Sequence, residues 1–203
     1  MTALYIDTSN GLTLGILDDS REWLSYEQAP EQKSSGIIHH QINEMLLSKS
    51  LDIEDVTEVF LSNGPGSYTG VRVGEGIGQI FEWQKTSVVS FYHHVVPKVI
   101  GEDKGIFVCS AFKGEHFTYE WNQEEGVEKL VSSKDLFEVL KDYDKVYSNH
   151  ELDESFEEKD KIFTDELIKC NSKKIFTKVA QDQLRVPPFY FRKLAEEFKK
   201  SKK

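Results

Sequence analysis

The run Asn63-Gly64-Pro65-Gly66-Ser67-Tyr68-Thr69-Gly70-Val71-Arg72-Val73-Gly74 carries the densest chemical signal in this 203-residue chain. Glycines at 64 and 66 allow close backbone approach and positive φ, Pro65 stiffens the turn, and Thr69 is placed to cap a following helix. A strand, a glycine loop and a helix N-terminus in that order can hold an anion on backbone N–H groups. The Walker spacing G-x-x-x-x-G-K-[ST] is not met, because no lysine follows Gly70, and G-x-G-x-x-G is not matched in a dinucleotide-binding setting. A tight structural turn through Gly64, Pro65, Gly66, Ser67 and Thr69 is the simpler reading, with a phosphate cradle as its rival.

Asp7-Thr8-Ser9, at the end of an apolar run, offers a carboxylate and two hydroxyls that can orient Mg²⁺-bound water and phosphate. An Asx turn explains the same residues more simply, since Asp bonds its own backbone in turns. His39-His40 and His93-His94 are adjacent pairs whose members point in different directions on a helix or strand, and neither H-x-x-x-H nor H-E-x-x-H occurs. Each histidine, His116 and His150 included, reads as a surface or partly buried structural residue. Ser67 lacks the G-x-S-x-G context of a hydrolase nucleophile. Cys109 and Cys170 stand far apart and read as reduced thiols. No metal site and no cofactor are expected.

The elements that must position these groups follow from patterning. Residues 3–6 and 12–17 read as a strand hairpin about the turn 7–11, and 56–61 as a third strand. Residues 36–47 place Ile38, Ile42 and Met45/Leu46 at helical spacing, and a second helix runs from 69 or 70 to Trp83. On that second helix Gly70, Gly74 and Gly78 recur every fourth residue and share one face, although each interior glycine costs about 1 kcal/mol against alanine. Close approach of another helix would justify them, either within this chain or across an interface. Residues 86–90 close this first unit with a short strand.

The composition turns polar at 101–104, and 106–110 with 116–121 form a second hairpin about Phe112-Lys113-Gly114-Glu115. A helix at 134–141, a short strand at 145–147 and a helix at 175–184 follow. The order of elements thus repeats without a sequence repeat, which predicts an α/β protein of two related lobes, 1–102 and 103–203. Hydrophobic residues make up 38%, and no run approaches the length of a membrane span. No secretory pattern opens the chain, so a cytoplasmic location is expected. The net charge of −10 opposes autonomous nucleic-acid binding, and only 199–203 are basic.

Together these segments resemble the TsaB family, also called YeaZ, over nearly the whole chain. The family's Asp-Thr-Ser is met by Asp7-Thr8-Ser9. Its Gly-Pro-Gly-Ser-Phe/Tyr-Thr-Gly-hydrophobic-Arg-hydrophobic-Gly is met by Gly64 through Gly74, an early histidine of the first helix by His39 or His40, and its terminal Pro-x-Tyr-hydrophobic-Arg by Pro188-Phe189-Tyr190-Phe191-Arg192. Ser110-Ala111-Phe112 departs from the family's Asp-Ala-Arg, and the acidic stretch 151–160 also diverges.

The resemblance implies a two-lobed actin-like ATPase (ribonuclease H-like) fold with a reduced second lobe and a degenerate cleft at Asp7, Thr8 and Ser9. It implies a noncatalytic activator of TsaD, the transferase that adds threonylcarbamoyl to the adenosine beside the anticodon, with the ATPase TsaE joining and tRNA bound only through the complex. TsaD-like proteins hold a metal with H-x-x-x-H histidines, a spacing this chain lacks. The expected interface, to TsaD or to a second copy in isolation, uses Ile38, His39, Ile42, Met45, Gly70, Arg72, Gly74 and Gly78. An actin-like ATPase or small-molecule kinase is the alternative, and a glycoprotease-like peptidase is less supported.

Overall fold

The computed structural model describes residues 2–29, 34–112, 114–123, 125–152, 156 and 159–191. Arg192, the basic tail 199–203, Lys113, and most of the stretch 153–158 lie outside them. Ten strands form two five-stranded sheets of one topology. In the first, β1 (Thr2–Asp7), β2 (Leu12–Leu17) and β3 (Trp23–Ala29) make an antiparallel meander, and β4 (Val56–Ser62) and β5 (Ser87–Phe91) add in parallel to give the order β3-β2-β1-β4-β5. In the second, β6 (Gly105–Ser110), β7 (Glu115–Trp121), β8 (Gly126–Ser132), β9 (Lys145–Ser148) and β10 (Asp160–Phe163) repeat that order as β8-β7-β6-β9-β10. The repeated order of elements read in the sequence is therefore real, and the fold is the two-lobed actin-like one.

The lobes differ in how they are covered. Strands β1 and β4 are buried on both faces, which is why they read as continuous apolar runs. One face, with Leu4, Ile6, Val59 and Leu61, packs on α1 (Ser34–Leu47) and α2 (Tyr68–Trp83) through Ile38, Ile42, Met45, Ile77 and Phe81. The other, with Tyr5, Phe60 and Phe91, packs on α3 (Val96–Val99), α5 (Thr164–Cys170) and α6 (Ser172–Gln181) through Val96, Ile168, Ile175 and Phe176. Helices from the second half of the chain thus return to the first sheet. The second sheet keeps α4 (Ser133–Leu140) on one face, where Leu136 and Leu140 meet Ile106, Val108 and Val146.

Three strands escaped the sequence reading, β3, β8 and β10, and all three are sheet edges. An edge strand is fixed by pairing along one side and needs no apolar run, so polar segments such as 23–29 and 160–163 give little periodic signal. Helices α3 and α5, one of four and one of seven residues, were also unread, and α6 ends at Gln181 rather than 184. The cap of α2 is Ser67, whose Oγ accepts from the Gly70 N–H at 3.3 Å; Thr69 sits inside the helix. Among the described residues no helix is long and apolar enough to cross a membrane.

Candidate functional site: the cleft between the sheets

The Asp7-Thr8-Ser9 turn leaves the carboxyl end of β1 and is buried throughout. Its Asx-turn reading holds, since the Ser9 N–H donates to Asp7 Oδ1 at 2.7 Å. The glycine loop closes over this turn. The Ser67 N–H donates to the Ser9 carbonyl at 2.7 Å, and Thr8 Oγ1 donates to the Gly70 carbonyl at 2.7 Å. A Cβ on Gly66 would lie 2.4 Å from the Ser9 carbonyl oxygen, so glycine is required there for the chain to approach itself. Gly64 has φ +98°, a value side-chain-bearing residues rarely adopt, and the Gly64–Pro65 peptide is cis. The loop is thus a tight turn engaged with its own chain.

The other oxygen of Asp7 meets a histidine whose sequence context suggests only a surface or partly buried structural residue. His93, in the turn after β5, is fully buried, with Nε2 2.7 Å from Asp7 Oδ2 and 3.3 Å from Ser9 Oγ. Its Nδ1 lies 2.9 Å from Thr164 Oγ1, at the start of α5, and 3.6 Å from Asp165 Oδ1. Thr164 Oγ1 in turn reaches the Ser148 carbonyl at the end of β9, 3.2 Å away. Only tertiary structure could find this group, because His93 stands 71 residues from Thr164 and 86 from Asp7.

Electrostatics follow from that geometry. Burial works against a charged His93, but the Asp7 carboxylate and its hydrogen bond outweigh it and raise the imidazole's pKa. For Asp7 burial likewise opposes ionisation, and His93 with the Ser9 bonds holds the carboxyl below its ordinary value. Asp165, mainly through burial, is pushed up to about 6. Asp7, His93 and Asp165 are also the one set of ligand-type groups gathered within 4.8 Å among the described residues. The two carboxylates approach opposite ring nitrogens, however, with Asp7 at hydrogen-bonding distance. That arrangement fits a shared proton, since a metal ion would take a single ring nitrogen with both carboxylates beside it.

The remaining contacts across the cleft are polar as well. Asn149 Nδ2 donates to the Pro65 carbonyl at 2.7 Å, and Asn10 Nδ2 to the Asn149 carbonyl at 3.2 Å. At Ser110, which replaces the family's aspartate, the backbone N–H donates to His150 Nε2 at 3.1 Å. The segment after α6 folds back on the first lobe: Phe189 N–H donates to the Asn63 carbonyl, and Arg185 pairs with Glu75 and Glu82.

The expected interface residues fall into two groups. Ile38, Ile42 and Met45 are buried in the first lobe's own core, while His39 is exposed. The glycine face is corrected outright, because it looks inward onto the chain's own β1 turn and β4. A Cβ at Gly70 would fall 1.9 Å from the Thr8 carbonyl oxygen, one at Gly74 2.6 Å from Thr8 Oγ1, and one at Gly78 3.2 Å from Leu61. These glycines admit a turn and a strand, not a partner helix. Arg72 is exposed, stacked over the Tyr68 ring at 4.1 Å and bonded to the Tyr190 hydroxyl at 3.3 Å. On the outer side of the same helices lies a groove of about 230 Å³ lined by His39, Asn43, Ile53, Ile80 and Gln84, and Trp83, at the end of α2, is 79% exposed.

No protein-family model matches the chain. It is 33% identical over 89 residues to the tRNA threonylcarbamoyladenosine biosynthesis protein TsaB of Bacillus subtilis (strain 168), a match taking in 41% of this chain and 37% of that protein. The TsaB of Escherichia coli (strain K12) is 29% identical over 80 residues, covering 39% of this chain and 34% of that protein. The matched stretch therefore spans little more than a third of these curated relatives. Among solved structures, YeaZ from Pseudomonas aeruginosa superposes with a TM-score of 0.65 at 16% identity, covering 94% of this chain and 99% of that one. A second crystal structure, of a Pseudomonas aeruginosa protein described as similar to peptidase YEAZ, gives 0.64 at the same identity and coverage. The structural likeness carries the fold, and the sequence matches make about two fifths of the chain similar to TsaB proteins.

Proposed function

We propose that this chain acts in tRNA threonylcarbamoyladenosine synthesis as a noncatalytic subunit that supports a TsaD-like transferase, with a TsaE-like ATPase as a further partner and tRNA reached only through the complex. The carrying observation is that the cleft is filled by its own chain. The Ser67 N–H bonds the Ser9 carbonyl, the Thr8 hydroxyl bonds the Gly70 carbonyl, and the Asp7 carboxylate bonds Ser9 and His93, so these groups, which an ATPase would turn toward phosphate, are engaged elsewhere. The names of the curated relatives support the pathway. In this reading the protein works in the cytoplasm as lobes 1–102 and 103–203, and it pairs with itself in isolation.

The pairing surface in this reading is the outer face of α1 and α2, where His39 and Ile80 line the groove and the α2 side chain of Trp83 is exposed, rather than the buried glycine face. Reconstitution with TsaD-like and TsaE-like proteins and tRNA tests it. Ile80→Asp and Trp83→Asp change exposed side chains, so circular dichroism stays that of the parent while association and modification fall by about 30-fold or more, as for an aromatic anchor of a binding surface. Folded variants that still pair and support modification would remove this surface. The isolated chain should show no saturable ATP turnover; turnover lost on Asp7→Asn would instead establish the ATPase alternative.

A further inference from the structure

We propose that Asp7, His93, Thr164 and Ser148 form a proton-dependent latch between the two sheets, continuous only while His93 is an imidazolium. The count of donors carries this. Thr164 has one hydroxyl proton, and its oxygen has two neighbours, His93 Nδ1 at 2.9 Å and the Ser148 carbonyl at 3.2 Å. With both ring nitrogens protonated, Nε2–H donates to Asp7, Nδ1–H donates to Thr164 Oγ1, and the Thr164 hydroxyl donates onward to Ser148. Every link from the end of β1 to the end of β9 is then made. When the ring loses a proton, Asp7 keeps Nε2–H as its donor and Nδ1 becomes an acceptor. The single Thr164 proton must then serve either His93 or Ser148, and the path between the sheets is broken at one of them.

The surroundings decide which state holds. Asp7 from β1 and Asp165 from α5 face the ring, Glu166 stands behind Asp165, and burial with these carboxylates raises the pKa of Tyr5 and Tyr26 so that both stay neutral. His94, beside it in the turn, and His150, after β9, are the cationic candidates, and burial disfavours charge on both. Negative neighbours therefore dominate, and they favour the protonated ring. Loss of the proton loosens the cleft without freeing the lobes, because the Asn10, Asn149 and Pro65 bonds remain.

Hydrogen exchange of residues 7–10, 92–94 and 146–150, corrected for intrinsic rates between pH 5.5 and 9, tests the latch beside ¹⁵N NMR titration of the imidazoles. The expected result is a His93 midpoint above the ordinary 6.5, and protection falling about fivefold through the same midpoint, the equivalent of one hydrogen bond of about 1 kcal/mol. Thr164→Ser retains the pH response, and Thr164→Val, which keeps shape without a hydroxyl, abolishes it while His93 still titrates. His93→Gln gives a second route to a pH-independent cleft. A His93 midpoint at or below 6.5, flat protection in the parent, or a parental pH response in Thr164→Val would each overturn the proposal.

Discussion

His93 and His94 are neighbours in one turn, both buried, yet they are held in opposite ways. His93 lies among Asp7, Ser9, Thr164 and Asp165. His94 enters a ring of aromatics from both lobes and the returning segment: Tyr119 at 4.7 Å, Tyr92 at 5.1 Å, Phe117 at 5.5 Å and Phe189 at 5.6 Å between centroids. Desolvation, with the charge of His93 adding to it, lowers the pKa of His94 to about 3, and its Nδ1 has no partner. Burial acts on both rings; the buried Asp7 carboxylate at 2.7 Å favours charge on His93, whereas Glu128, half exposed and 3.5 Å from His94 Nε2, does not offset the burial of His94. One junction is thus specified by hydrogen bonds and charge, the other by packing.

His93→Phe breaks the contrast most severely. It leaves the Asp7 carboxyl buried opposite hydrocarbon, and losing one member of a buried pair costs about 3–5 kcal/mol, read as a fall in ΔG of unfolding in urea. An unchanged midpoint would mean that the Asp7–His93 bond contributes nothing to the fold. Gly74→Leu attacks the same polar side from behind, by driving α2 off Thr8 and Leu61. Overpacking of this kind costs about 1–3 kcal/mol and should appear as destabilisation of the chain itself. A stable Gly74→Leu protein that only loses pairing would restore the glycine face as an interface.

The smallest effect at neutral pH belongs to His94→Phe, which should change stability by no more than about 1.5 kcal/mol because the site is already aromatic. Its pH profile sharpens the comparison. A histidine whose folded pKa is lowered resists protonation in the folded state, so His94 removes stability as pH falls below 6.5 toward about 3, at up to about 1.4 kcal/mol per pH unit. His94→Phe should flatten that acid limb. His93, with its pKa raised, contributes stability that is full below 6.5 and lost as pH rises through its folded value. Opposite slopes from adjacent residues are expected in urea titrations across pH, and parallel slopes would contradict the assignment of charge.

The sequence by itself determined the apolar frame and the local turns. Runs such as 3–6, 12–17, 56–61 and 106–110, bounded by turn residues, read as buried strands, the 38–46 spacing as a helix, and Gly64-Pro65-Gly66 as a turn, because these are local consequences of burial and backbone sterics. The repeat of element order, and with it the two-lobed fold, followed. Tertiary structure alone decided which way the Gly70, Gly74 and Gly78 face turned, since a small-residue face suits a turn and strand as well as a helix. It also decided the edge strands β3, β8 and β10, which are set by pairing, and the return of α5 and α6 onto the first sheet. The site itself was half legible: Asp7-Thr8-Ser9 could be read as an Asx turn that offers a carboxylate and two hydroxyls, but His93, one of an adjacent pair, looked like any structural histidine. Its charge depends on Asp7, brought within 3 Å by folding, and on Asp165, and distance in space is what the chain's order does not record.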